Sequence, residues 1–223
     1  MRIRIKFTKN DSVRYLGHLD IMRTFQRCFH RAGIQMTYSE GFNPHQKMNF
    51  AQPLGVGILS RGEYLDAVIA DGQDPAQIRE SLDAVTGDGF DIIEVRQLKE
   101  DASKAMAAVR FADYTIRFHD SRVPDTKAYL DRPVIILQKK TKTGMRDVDV
   151  KQALLSVKET DQCLHMRMRA EGEHSIKPEL VLQDILSFQG LPFDRDRITI
   201  IREELYAQDM TALIDHQTER YGE

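Results

Sequence analysis

Asp20, Arg23, Arg27, His30 and Arg31 stand at offsets of 0, 3, 7, 10 and 11. On an α-helix those offsets fall on one face. The spacing therefore sets three guanidinium groups and an imidazole along one wet stripe. A guanidinium fork matches phosphate oxygens in a bidentate way that an ammonium cannot. The chemistry on offer is recognition of a phosphate-bearing ligand. The plainer alternative is a solvated face paired with carboxylates, for which the acidic stretch 51–100 is a source.

The segment that follows, Tyr38-Ser39-Glu40-Gly41-Phe42-Asn43-Pro44-His45-Gln46-Lys47, is polar and irregular. It is longer than a helix-to-strand link needs, and such loops are usually functional or disordered. Its rings argue against disorder. Phe42, beside Gly41, is the residue expected to stand exposed and stack on a base, whereas Phe50 is expected in the core. Tyr38, Ser39, Gly41, Asn43 and Pro44 then form a binding loop, with Arg14 and Lys47 as further cations. A second basic cluster, Lys139, Lys140, Lys142 and Arg146, surrounds Gly144 in a predicted β-turn. Such a loop can clamp a phosphate backbone or be a solvated hairpin tip.

Catalytic signals are sparse. His18 and Asp20, two residues apart, do not share a helix face. His18, Asp20 and His30 are the weak candidates for acid–base work, and with His45 they match no metal-ligand spacing. The chain has no G-x-x-x-x-G-K-[ST] loop, no G-x-G-x-x-G and no H-E-x-x-H. Its two cysteines, Cys28 and Cys163, read as free thiols of a reducing cytoplasm. They are too few for an iron–sulfur cluster, which takes about four ligands. No signal peptide or membrane span is expected.

The elements that must position these residues follow from periodicity and breakers. Ile3, Ile5 and Phe7 alternate with Arg2, Arg4 and Lys6, a half-buried strand. A helix runs over about 16–32, ended by Gly33, with Leu19, Met22, Phe25, Cys28, Phe29 and Ala32 on its buried face. Strands over 54–60 and 62–70 form a hairpin turning at Ser60-Arg61-Gly62. Asp74 and Pro75 start a helix over 75–86, and a strand covers 90–98. The second half reads as a strand at 109–118, a helix at 124–131, strands at 133–139, 148–158 and 163–169, a helix from Pro178 to Phe188, and a strand at 197–206. The expectation is an α+β fold of two ferredoxin-like halves (split β-α-β) with antiparallel sheets. The domains are 1–100 and 109–223, joined through 100–108.

The formal net charge of −2 conceals an uneven distribution. Residues 1–50, 51–100, 101–150 and 151–223 carry +6, −6, +3 and −5. A generally polybasic protein is excluded, but a basic face on the first helix, its following loop and the 139–146 turn is not.

Tyr15-Leu16-Gly17-His18-Leu19-Asp20, Tyr38-Ser39-Glu40-Gly41-Phe42-Asn43-Pro44, Pro53-Leu54-Gly55-Val56-Gly57 and Glu63-Tyr64-Leu65-Asp66 resemble the radical SAM-linked family of bacterial proteins (domain of unknown function 2344). Members of that family are fused to, or encoded beside, a radical SAM protein, often near genes for ribosomal proteins and an RNase G-type ribonuclease. The resemblance implies a translation-linked setting and a radical SAM partner that carries the iron–sulfur cluster and S-adenosylmethionine. This chain would hold no cofactor or metal itself. It supplies no catalytic residue. Three readings stand. The first is a module that binds tRNA, rRNA or another structured RNA, or recruits substrate, for that partner. The second is an RNA endonuclease similar in outline to CRISPR repeat-cleaving enzymes, with His18 or His30 as acid or base. The third is a protein-interaction subunit that binds no nucleic acid.

Overall fold

The computed structural model describes residues 1–119, 123–141 and 144–219. The chain divides into two units, Met1–Val109 together with the stretch from Glu204 onward, and Arg110–Glu203. Residues beyond 203, which the sequence reading placed in the C-terminal domain, thus lie with the first unit. The architecture is mixed α/β, and its sheets are built mostly from antiparallel pairs.

The first unit contains β1 (Arg2–Lys9), α1 (His18–Arg31), β2 (Met48–Phe50), β3 (Leu59–Val68), α2 (Pro75–Thr86), β4 (Ile92–Gln97) and α3 (Ala105–Ala108). β1 lies between β4 and β3, and β2 pairs with β3 at Leu65–Ala67. Ile3, Ile5 and Phe7 of β1 are buried with Ile21, Phe25 and Phe29 of α1 and Ile78 and Leu82 of α2. Phe7, Phe25, Phe50 and Phe90 meet at centroid distances of 4.6–6.1 Å. Phe50 is therefore in the core, as its pattern suggested. Asp74 caps α2 by accepting from Ala76 N at 3.1 Å, with Pro75 in the first turn.

The other face of this sheet departs from expectation. Arg4, assigned by alternation to a wet face, is 0% exposed. Its Nε and Nη2 donate to the two carboxylate oxygens of Asp66 at 2.7 and 3.0 Å. The remaining donors reach the carbonyls of Leu213, His216 and Ser103. Asp66 in turn accepts from Ala105 N at 2.7 Å. Lys6 is also engaged, at 2.5 Å from Glu204, which accepts from the Tyr64 hydroxyl. Burial, and then the negative charge of Glu204, push the Tyr64 pKa far upward. Residues 102–108 and 205–214 cover this face, with Ala105, Leu205 and Leu213 fully buried. The segment expected as a bare linker is thus part of the first unit.

Two further corrections concern strands. β3 runs unbroken through Ser60-Arg61-Gly62, and the partner strand is β2 rather than 54–60. The register against β1 shifts between Phe7↔Glu63 and Lys9↔Ser60, one extra residue on β3. The glycine marks a β-bulge, the other role a strand glycine takes.

The second unit contains β5 (Phe111–Phe118), α4 (Lys127–Leu130), β6 (Ile136–Thr141), β7 (Gly144–Asp149), α5 (Val150–Ala153), β8 (Leu154–Glu159), β9 (Cys163–Arg169), α6 (Pro178–Phe188) and β10 (Ile198–Tyr206). The last three residues of β10 belong to the first unit. β5 pairs with β9 and β9 with β8, while β6 and β7 form a separate two-stranded sheet. The strand expected over 148–158 is interrupted by α5, because Asp149 caps a helical turn by accepting from Lys151 N at 3.0 Å.

Removing one partner of a buried ion pair leaves an uncompensated charge and costs about 3–5 kcal/mol. Arg4→Met is therefore expected to lower unfolding stability by about that amount, read by urea denaturation. A loss below about 1 kcal/mol, the value of a surface pair, would contradict this account of Arg4.

Candidate functional site

α1 begins at His18 and ends against Gly33, whose φ of +69° is the left-handed turn that closes the helix. Ile21, Phe25, Cys28 and Phe29 form its buried face. Leu19, expected in that set, is 60% exposed. It lies six residues before Phe25, and at about 100° per residue this places it about 120° away from the core direction. Leu19 instead stands beside the polar stripe.

On the outer face Arg23, Arg27, His30 and Arg31 are exposed and line one shallow groove of about 640 Å³ with Gln26 and Gln46. Asp20 stands 3.7 Å from Arg23, with both side chains largely in solvent. That pair contributes little and leaves the guanidinium open to competition. Arg27 donates to the Thr24 hydroxyl at 3.4 Å. Gln46 joins the groove because its amide donates to the Gln26 carbonyl.

Gln46 belongs to a tied hairpin. Tyr38 bridges Gln46, and Ser39 N donates to the His45 carbonyl at 2.8 Å. The Ser39 hydroxyl accepts from His45 N and meets His45 Nδ1 at 2.9 Å. Gly41, at φ +111°, makes the turn. Phe42, Asn43 and Pro44 stand on the tip, and the Phe42 side chain is fully exposed. Lys47 is exposed, its backbone bonded to Thr37 and Val68.

Other candidates lie elsewhere. Arg14 is not on the stripe: it pairs with Asp11 at 3.0 Å, reaches the Gly57 carbonyl and lies over the Tyr15 ring. His18 packs edge-on against Phe50 at 5.2 Å, in the wall of the core. It does not converge with His30 in the groove or His45 in the hairpin. No group of three or more His, Cys, Asp or Glu side chains among the described residues could hold a metal.

In the second unit, Lys139 is turned inward. Its ammonium donates to the carbonyls of Glu173 and Ser175 at 2.9 and 2.5 Å. Burial, and then Arg146, lower its pKa. Arg146 stands 3.6 Å from Glu173. Lys139 therefore secures the hairpin to the 173–175 segment, while the Arg146 pair is as solvated as that of Arg23 with Asp20 and leaves its guanidinium open. Lys140 is exposed, and Lys142 lies outside the described residues.

Residues 2–178 match the family described as "Uncharacterized protein conserved in bacteria (DUF2344)". The chain belongs to this family. The segments 15–20, 38–44 and 63–66, at the α1 entrance, the hairpin and β3, lie within the residues that match DUF2344. No curated protein matches the sequence. A solved Cbf5-Nop10-Gar1 complex is structurally similar at a TM-score of 0.45 and 10% identity, over 91% of this chain and 48% of that one. The chain thus spans about half the length of the chain it aligns with. No helix among the described residues is long and apolar enough to cross a membrane.

Behind the arginines lies Cys28, buried, with its thiol directed to the Val85 carbonyl. Burial pushes its pKa up, against the opposing pull of Arg31 and Arg27. Alkylation needs the thiolate and access to it. At about pH 8, iodoacetamide is therefore expected to label the partly exposed Cys163 well before Cys28, with urea abolishing the difference. Mass spectrometry of tryptic peptides reads the order, and equal native rates would contradict the buried face assigned to α1.

Proposed function

We propose that this protein binds structured RNA, such as tRNA or rRNA, and recruits it to a radical SAM partner enzyme. The observation that carries the RNA contact is the juxtaposition in the first unit. Three exposed arginines share a groove with Gln46, and the hairpin that supplies Gln46 also presents an exposed phenyl ring. Arginine forks suit phosphate oxygens, and an exposed ring on the same hairpin as Gln46 suits a base. In this reading Arg23, Arg27 and Arg31 hold phosphates, and Phe42 stacks. Tyr38, Ser39, Gly41, Asn43 and Pro44 shape the loop, with Lys47 and Lys140 adding long-range attraction. The partner, known here through the family resemblance alone, carries the iron–sulfur cluster and S-adenosylmethionine. The setting is the cytoplasm, in keeping with two unpaired thiols.

The same proposal covers the architecture: both units follow a split β-α-β plan. The strand order β4-β1-β3 with β2 on β3 supports it for the first unit. The order β10-β5-β9-β8 supports it for the second, with the β6–β7 hairpin as an insertion.

The test is anisotropy of labelled tRNA or an rRNA fragment with the full chain. Counterion release from three phosphates predicts that raising salt from about 50 to about 200 mM weakens binding roughly 20–40-fold. The triple variant Arg23→Ala/Arg27→Ala/Arg31→Ala is expected to lose most of the low-salt affinity while still co-purifying with the radical SAM partner. Affinity indifferent both to salt and to the triple substitution would defeat the proposal.

A further inference from the structure

We infer that the RNA segment seated on α1 is unpaired, a single strand whose phosphates follow the arginines and whose bases stack on exposed rings. This rests on the RNA-binding reading above and specifies the form of RNA that the site takes.

The first observation is linear. Arg23, Arg27 and Arg31 are separated by four residues each, so each step climbs about 6 Å along the helix and the row spans about 12 Å. That step is comparable with the distance between neighbouring phosphates on one strand. The row addresses consecutive phosphates of one backbone.

The second observation concerns the rings. Arginines alone would serve a duplex as well as a single strand. Exposed rings would not, because paired bases are stacked within the helix and offer no free face. Phe42 is fully exposed on a hairpin tied by Tyr38–Gln46 and Ser39–His45. Its ring is held out on an ordered support and contributes nothing to the core. Tyr15, one turn of chain before α1, is 71% exposed with the Arg14 guanidinium 5.4 Å from its ring centre. Leu19, at the N-terminal end of the stripe, adds a third apolar side chain in water. Apolar surface left in water on the segment before α1 and on the hairpin that reaches the groove through Gln46 is what a strand with splayed bases would cover.

Together these features explain why the sequence motifs carry apolar residues that do not pack into the core. Tyr15 and Leu19 belong to the first motif and Phe42 to the second, and all three side chains point away from the fold. A ligand with both a charged backbone and free aromatic faces accounts for the charge and the rings at once.

The experiment compares, on the full chain at about 50 mM salt, an unstructured 12-nucleotide RNA with the same strand annealed to its complement. The single strand is expected to bind roughly tenfold or more tightly. Phe42→Ala is expected to weaken single-strand binding by about 5- to 150-fold without altering the salt slope. Arg27→Ala is expected to reduce that slope by about 0.7. Tyr15→Ala serves as a second ring variant, and circular dichroism confirms that each variant folds. Duplex binding as tight as single-strand binding, with Phe42→Ala silent, overturns this inference and leaves RNA binding intact. Failure of both RNAs to bind overturns the RNA-binding reading with it.

Discussion

The buried pair of Arg4 and Asp66 is the constraint on which the first unit depends. A guanidinium removed from water must have its donors satisfied, and five acceptors drawn from Asp66, Ser103, Leu213 and His216 do so. Those residues come from β3, the segment before α3, and the stretch that follows β10. One side chain therefore ties two distant pieces of chain over one sheet face and bonds the neighbouring strand as well. The opposite face needs no such device, since Ile3, Ile5 and Phe7 bury apolar surface against α1 and α2 by the ordinary hydrophobic effect. The sheet is sandwiched between an apolar side and a polar, hydrogen-bonded one, and α1 rides on the apolar side with its arginines outward.

How much of this could be read from residues alone varies with the physics involved. α2 was legible at both ends because its signals are local: Asp74, Pro75 and Gly87 act on their immediate neighbours. The arginine stripe was legible because helical periodicity carries it. Arg4 was not, because alternation says which face a residue takes and not what covers that face; the cover comes from residues about a hundred or more positions away. Gly62 was misread as a turn because a bulge glycine and a turn glycine look alike without the register against β1. Leu19 was misplaced by counting threes and fours without following the angle around the helix axis.

The two basic clusters show how charge in a sequence divides between structure and function. Lys139 is used internally, on the carbonyls of Glu173 and Ser175, while Arg146 keeps only a solvated pair with Glu173. Arg23 and Arg27 have weak, solvated partners, and Arg31 stands exposed in the same groove. What separates the clusters is the availability of acceptors nearby. The 173–175 segment offers backbone oxygens to Lys139, whereas among the described residues Arg23 and Arg27 meet one exposed carboxylate and one hydroxyl. Charge count alone could not distinguish these cases, and the basic face is narrower than the basic segments are.

The return of the chain to the first unit bears on how the protein is made. Arg4 leaves the ribosome early, but two of its acceptors, the carbonyls of Leu213 and His216, lie beyond the whole of the second unit. At about 5–20 residues per second, the roughly hundred intervening residues impose a wait of roughly 5–20 s. Throughout that interval the nascent first unit lacks the 205–214 part of the cover of its sheet face and two acceptors of the Arg4 guanidinium. The second unit is therefore synthesised in full before the acceptors that complete the burial of Arg4 exist.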